Sequence, residues 1–134
     1  MFTNNVTLFN KYYDRENDKD VYVRSFLLNV DWQGARAVNV GDKGLTTADY
    51  TEIFVWPDSC DKKFIKPKAF DQLEDKTNYF TLNAGDIVVK GIIDFDLTIS
   101  NLKELKSTYD DVLTIVSVVD LIDSTMPHWE IGAQ

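Results

Sequence analysis

The chain has 134 residues, 44% of them hydrophobic and 13% aromatic, with 22 acidic against 14 basic side chains and a formal net charge of −8. That balance suits a single globular domain over residues 1–134, large enough to build a core without disulfides or metals, and it argues against a nucleic-acid-wrapping role, which needs clustered Lys and Arg. With Cys60 the only cysteine, no intrachain disulfide forms; no apolar run approaches the roughly 20 residues that cross a bilayer, and Met1–Asn5 lacks the order of a signal peptide, so a soluble, cytosol-made protein with no membrane partner is expected.

Along the chain, Val6–Phe9 reads as a first short strand. Arg15–Asp20 reads as a charged hairpin loop, and Val21–Leu28 restarts the β pattern. Trp32-Gln33-Gly34 and Gly41-Asp42-Lys43-Gly44 bracket a strand from Ala35 to Val40, the second set being a turn signal because glycine tolerates positive φ. Thr51–Trp56 is strand-like and stops at Pro57, which cannot donate a ladder bond. Asp58–Asp75 is the least regular stretch; Pro67 suits the first position of a short helix that carries Phe70 and Leu73 on one face. Tyr79–Leu82 forms a strand that leads into the turn at Asn83–Gly85.

Asp86–Leu97 is long for one straight strand, and Gly91 at its middle predicts a bulge that curls the sheet. Ser100 is placed to N-cap a helix with Leu102, Leu105 and Tyr109 on one face, ending near Asp110-Asp111. Val112–Val119 reads as a buried strand and Trp129–Ile131 as a terminal one. Seven or so short strands with one or two short helices predict an all-β fold, a small barrel or sandwich, since helices are too few for repeated crossovers.

Reactive side chains are sparse. His128 and Cys60 are single and far apart in sequence; His128 reads as a packing or surface residue, and Cys60 as a tolerated thiol whose neighbours Asp58 and Asp61 raise its pKa. Two such ligands cannot close a zinc site, and the acidic stretch Asp14–Asp20 lacks EF-hand spacing, so a solvated loop is the better reading. Asp94 and Asp96 lie two apart, on one face of a strand, and read as an exposed acidic face, or the wall of a channel, rather than as a hydrolytic pair. Neither a Walker A motif nor a Rossmann fingerprint appears, and the aromatics lack interleaved basic residues. No catalytic, metal or cofactor site is expected.

Five phrases occur in order: Asn4–Tyr13, Val30–Gly34, Lys43–Asp49, Gly85–Gly91 and His128–Gly132. In them the chain resembles an uncharacterised family carried by tailed phages and prophages of Gram-positive bacteria, encoded in the head-to-tail morphogenesis region. It departs from that family's pattern at Ile53–Pro57, where an Ile-Pro ending is commoner. The resemblance implies a virion protein of the neck, most of all a head-completion or stopper protein. Such a protein is made in the host cytoplasm, forms a cyclic ring of itself (a hexamer or dodecamer) below portal and adaptor, retains packaged DNA without reading its sequence, and docks the tail. Contacts are expected from Asp58–Asp75 and the first strand, with Trp56, Pro57, Phe64, Ile65, Pro67, Phe70, Val6 and Leu8 as candidates and Asp94 and Asp96 as an acidic channel face. Alternatives are a tail terminator, a monomeric binding module that uses Trp32, Trp56 or Trp129 on a sugar or host factor, and a hydrolase built on Asp94 and Asp96.

Overall fold

The computed structural model describes residues 4–37 and 49–134. The order within them is β1 (Asn4–Asp14), β2 (Lys19–Ala37), β3 (Asp49–Val55), β4 (Lys63–Phe64), α1 (Pro67–Gln72), β5 (Tyr79–Phe80), β6 (Ile87–Lys90), α2 (Leu102–Thr108), β7 (Val112–Asp120) and β8 (Trp129–Ala133). Six strands close into a barrel in the order β1-β2-β3-β8-β7-β6, each pairing antiparallel. The expected all-β fold is therefore a barrel and not a sandwich. β4 and β5 form a separate parallel pair. No helix among the described residues is long and apolar enough to cross a membrane.

Period-2 alternation sends Val6 and Leu8 of β1 and Val88 of β6 into the barrel, where Leu27, Val30, Ile53, Val55, Ile115, Trp129 and Ile131 meet them. A six-stranded barrel is narrow, and side chains fill it. Phe64, Phe80, Leu82 and Cys60 join the same core, so the segment between β3 and β6 packs against it as well. The opposite faces of β1 and β6 are buried too: Phe9, Ile87 and Val89 pack with Ile93, Leu97 and Leu105 of the segment that carries α2. Burial on both faces is the reason Ile87-Val88-Val89 is a continuous apolar run rather than an alternating one.

The bend that closes the barrel lies in β2, at Asn29. Leu27 pairs with Val6 and Val30 with Asn4, so Leu28 and Asn29 are both squeezed in opposite Asn5. Asn29 takes φ 57°, a left-handed conformation that Asn adopts more readily than most residues, and its N–H donates to Asn5 Oδ1 at 3.2 Å. Before this bulge β2 pairs with β1; from Asp31 onward it pairs with β3. One strand thus serves both halves of the barrel, and residues 35–37 of the separate strand expected at Ala35–Val40 are its end. Residues 38–40 of that strand, and the turn expected at Gly41–Gly44, lie outside the described residues.

Gly91 ends a strand instead of bending one. Its φ of 100° turns the chain out of β6, its N–H donates to Asn5 O at 2.6 Å, and the next residues cross over β1. Thr7 Oγ1 donates to Gly91 O at 2.7 Å and accepts from Ile93 N at 3.0 Å, fixing that crossing. The expected strand Asp86–Leu97 is therefore cut to Ile87–Lys90.

Three smaller expectations also change. α2 starts after Asn101, not Ser100; Ser100 shares a hydrogen bond with Thr98 through their hydroxyls at 3.0 Å, and Asn101 Oδ1 accepts from Thr98 N at 2.7 Å. Of β7 only Ile115 is buried, because the α2 segment covers β1 and β6 and leaves Val116 and Val119 outside. The first strand runs on to Asp14, well past its expected end at Phe9.

Candidate functional site

From Asn10 onward β1 has β2 on one edge only, since β6 covers β1 just from Val6 to Phe9. Together with the start of β2 it forms a two-stranded arm whose tip is held by Asp14, which accepts from Glu16 N at 3.0 Å and Asn17 Nδ2 at 2.7 Å. α1 packs beside the free edge. Pro67 supplies the preset φ of a first helical residue, and Phe70, the one buried residue of α1, meets Tyr12 edge-on with ring centres 6.5 Å apart. Lys76 Nζ lies 4.2 Å from the centre of the Tyr12 ring and donates to Leu73 O at 2.7 Å, a cation on both an aromatic face and the last carbonyls of a helix. An ion pair, Arg15 to Asp71 at 3.4 Å, ties the tip of the arm to the helix.

A cleft of about 480 Å³ remains between arm and helix, lined by Lys11, Tyr13, Lys68, Gln72, Thr81 and Asn83 among others. It continues past Tyr12, Tyr13, Asp71 and Gln72 into a second of about 550 Å³ toward Arg15 and Lys76. Behind two of its lining residues, Lys11 and Asn83, stands Asp86, 2% exposed. Its carboxylate accepts from Lys11 N at 3.0 Å, Asn10 Nδ2 at 2.8 Å and Asn83 N at 3.2 Å, replacing the ladder partners that β1 loses where β6 begins. Burial pushes its pKa up to about 6, against the three N–H donors, which favour the charged form. Asn10 Nδ2 also donates to Thr81 O at 2.7 Å, and Asn10 Oδ1 accepts from Thr81 N at 3.3 Å. Thr81 Oγ1 is buried without a partner among the described residues.

Across the arm, on the edge of β2 away from β1, Val21 bridges to Thr98. Here Arg24 reaches Asp94 at 3.2 Å, Asp96 at 3.6 Å and Phe95 O at 3.0 Å, while the two carboxylates stay 100% and 99% exposed. Asp94 and Asp96 do form an exposed acidic pair, but on an irregular segment held to β2 and not on a strand. Farther along the same edge, Leu28 N donates to Ser59 O at 2.7 Å, and Lys62 Nζ donates to Arg24 O and Ser25 Oγ, each at 2.9 Å. Desolvation holds that ammonium below the usual lysine range.

The candidate contact residues divide by depth. Val6 and Leu8 are fully buried and Phe70 is 2% exposed; all three are core side chains, a correction to their expected place on a contact surface. The cause is the pairing of β1 with both β2 and β6, and the packing of Phe70 under Tyr12. Phe64 is half-buried, tilted against Trp129 with ring centres 4.6 Å apart and edge-on to Phe80 at 5.5 Å. Trp56, Ile65 and Pro67 are half-buried and Pro57 is exposed, leaving these four at the surface. Trp129, offered for ligand stacking, is 2% exposed and belongs to the core. Trp56 stacks on His128 at 5.4 Å, with Phe54 edge-on to the same imidazole at 6.1 Å.

His128 presents one ring nitrogen to Met126 O at 2.6 Å and the other to Glu130 Oε2 at 2.9 Å. Two acceptors suit the imidazolium, which donates from both nitrogens, and the bond to Met126 followed by that to Glu130 raises its pKa. Cys60 is 8% exposed, and its thiol is pushed up by burial first and by Asp61 to a lesser degree. Among the described residues no three His, Cys, Asp or Glu side chains converge as a metal site. Sequence reasoning missed Asp86, Thr81 and Arg24. No local signal marks them, since each takes its place from partners distant in sequence: Asn10 and Lys11 for Asp86, Asn10 for Thr81, and Asp94 for Arg24.

The chain belongs to a family of unknown function, DUF6751, whose model matches residues 1–134. No curated protein and no solved structure matches it.

Proposed function

We propose that this member of the family is a structural ring protein of a tailed-phage neck, a head-completion or stopper protein seated below portal and adaptor. The reading rests on the ordered set of five phrases that spans the chain, and the fold agrees with it in character. Charged and polar side chains that sequence reasoning left idle are tied into the architecture: Lys62 caps a strand edge, Asp86 replaces missing ladder bonds, and His128 ties residues next to the start of β8. A barrel filled by its own side chains encloses no passage, so DNA passes through an opening between copies. A net charge of −8 keeps that opening from adhering to phosphate. The protein has itself, the portal-side adaptor and the tail-side protein as partners, and needs neither cofactor nor catalytic group.

A cryo-EM map of particles from a phage that encodes this chain is the test. Density for a six-stranded barrel repeated in a ring between portal and tail is expected. Particles that lack the protein altogether refute the reading.

A further inference from the structure

The cleft beside β1 is rich in hydrogen-bond donors. Lys11 and Lys68, both exposed, line it and form no ion pair among the described residues. Gln72 and Asn83 bring amides, and Thr81 brings a buried hydroxyl without a partner among the described residues, an uncommon condition for a native polar group. The free edge adds backbone: Lys11 N is taken by Asp86, and ladder alternation turns the N–H of Tyr13 to the same side. Of the two carboxylates that line it, Asp71 is already paired with Arg15, leaving Asp20. Donors and unpaired ammonium groups against aromatic walls are a receptor for carboxylates.

The same chain carries the matching group on the other side of the arm. Asp94 and Asp96 are fully or almost fully exposed, flanked by Ile92 and Ile99 at 49% and 56% exposure. The cleft lies on the edge of β1 away from β2, and the acidic segment on the edge of β2 away from β1. The two strands of the ribbon separate the patches, with Asp20 of β2 lining both the cleft and the pocket beside Leu97–Ser100. Two different, complementary patches on separate edges of one molecule are what a head-to-tail contact requires.

We infer that the cleft lined by Lys11, Lys68 and Thr81 receives the Asp94–Asp96 segment of a second copy of this chain. This rests on the ring reading above and names the contact that would build the ring. Lys11 and Lys68 pair with the two carboxylates, Ile92 and Ile99 cover the aromatic walls, and Arg24 keeps the acidic segment in position. Because the patches differ, each copy has one of each to offer, and the contact propagates until it closes.

The test uses the full chain and charge exchange. Self-association is measured by sedimentation up to millimolar concentration, together with carbodiimide coupling, which condenses a lysine ammonium and a carboxylate in contact into an amide with loss of water. Expected are intermolecular links from Lys11 or Lys68 to Asp94 or Asp96, and association that weakens at about 1 M salt, where screening acts within about 3 Å. Lys11→Glu with Lys68→Glu, or Asp94→Lys with Asp96→Lys, weakens association by roughly tenfold or more, and all four together restore it. The aspartate changes lower the net negative charge, so a general relief of repulsion predicts the opposite for them. Circular dichroism checks the fold, and Lys68→Glu alone, at an exposed helical position, serves if the pair misfolds.

Absence of both links and association in the parent chain overturns the inference, as does association that ignores the exchanges. A short DNA duplex bound by the parent and lost with Lys68→Glu overturns it too, since the cleft is then a phosphate site. A ring found in particles despite silent exchanges leaves the neck reading standing and removes this contact. Coupled copies with no protein in particles do the reverse.

Discussion

Asp86 carries the clearest pH signature of any single side chain described above. Its pKa rises from an unfolded value near 3.9 to about 6 in the fold, so its contribution to stability is fully present below about pH 4 and is lost as pH climbs through about 6. The shift corresponds to roughly 3 kcal/mol between those limits. In urea unfolding at a series of pH values, Asp86→Asn should cost most below pH 4 and progressively less toward pH 7; a cost independent of pH contradicts the assignment. Gly91 offers a backbone test. An added methyl meets nothing within 4 Å, so Gly91→Ala isolates the strain of φ 100°, expected at about 1–2 kcal/mol in the urea midpoint. Thr7→Val removes both hydrogen bonds of the buried hydroxyl beside it and should cost about 1–3 kcal/mol. Sequence made Gly91 conspicuous, since a lone glycine in a β-branched run implies special backbone. It did not distinguish a strand that bends from one that stops, because that depends on Thr7 and Asn5, more than eighty positions away. Asp86 read as the first residue of the expected strand Asp86–Leu97, its burial being a product of Asn10 and Lys11 arriving from β1.

Among the elements, α2 is a seven-residue helix too short to persist alone, and Leu105 is its only buried residue. Leu105→Ala should destabilise the protein by about 2–5 kcal/mol, with amide exchange rising first in residues 92–109, while the ladder between β3 and β8 stays protected. The connection from β7 to β8 is the second element with a measurable handle. Because the folded pKa of His128 is raised, its bonds to Met126 and Glu130 contribute fully below the unfolded value near 6.5 and fade as pH rises through the folded one. An NMR titration of the imidazole should give a midpoint above that of a free histidine, and Glu130→Gln should lower it; an unmoved midpoint shows that the 2.9 Å contact does not persist in solution. Periodicity exposed β1, β3, β7 and β8, and Pro67 with Phe70 exposed α1, since these are local signals. The length of β2 was hidden, because Asn29 interrupts its pattern and only pairing with Asn5 on one side and β3 on the other makes it one strand. Burial along β7 was overread, its β-branched residues reflecting strand propensity on an outward face as much as packing.

At the scale of the whole molecule, the all-β character was legible from strand count and turn spacing, and closure was not, since the last pairings, β1 with β6 and β3 with β8, join distant parts of the chain. Of the expected contact residues, Trp56, Pro57, Ile65 and Pro67 stay at the surface, whereas Val6, Leu8 and Phe70 went to the core by pairings no local pattern reveals. β2 has a mechanical consequence. Its 19 residues extend about 60 Å at the usual rise per residue, from the free arm through the bulge into the far half of the barrel. Load applied at the arm therefore travels along a single covalent strand, first against the β1–β2 ladder and then, past a bulge pinned by Leu28 N to Ser59 O and Asn29 N to Asn5 Oδ1, into the β2–β3 ladder.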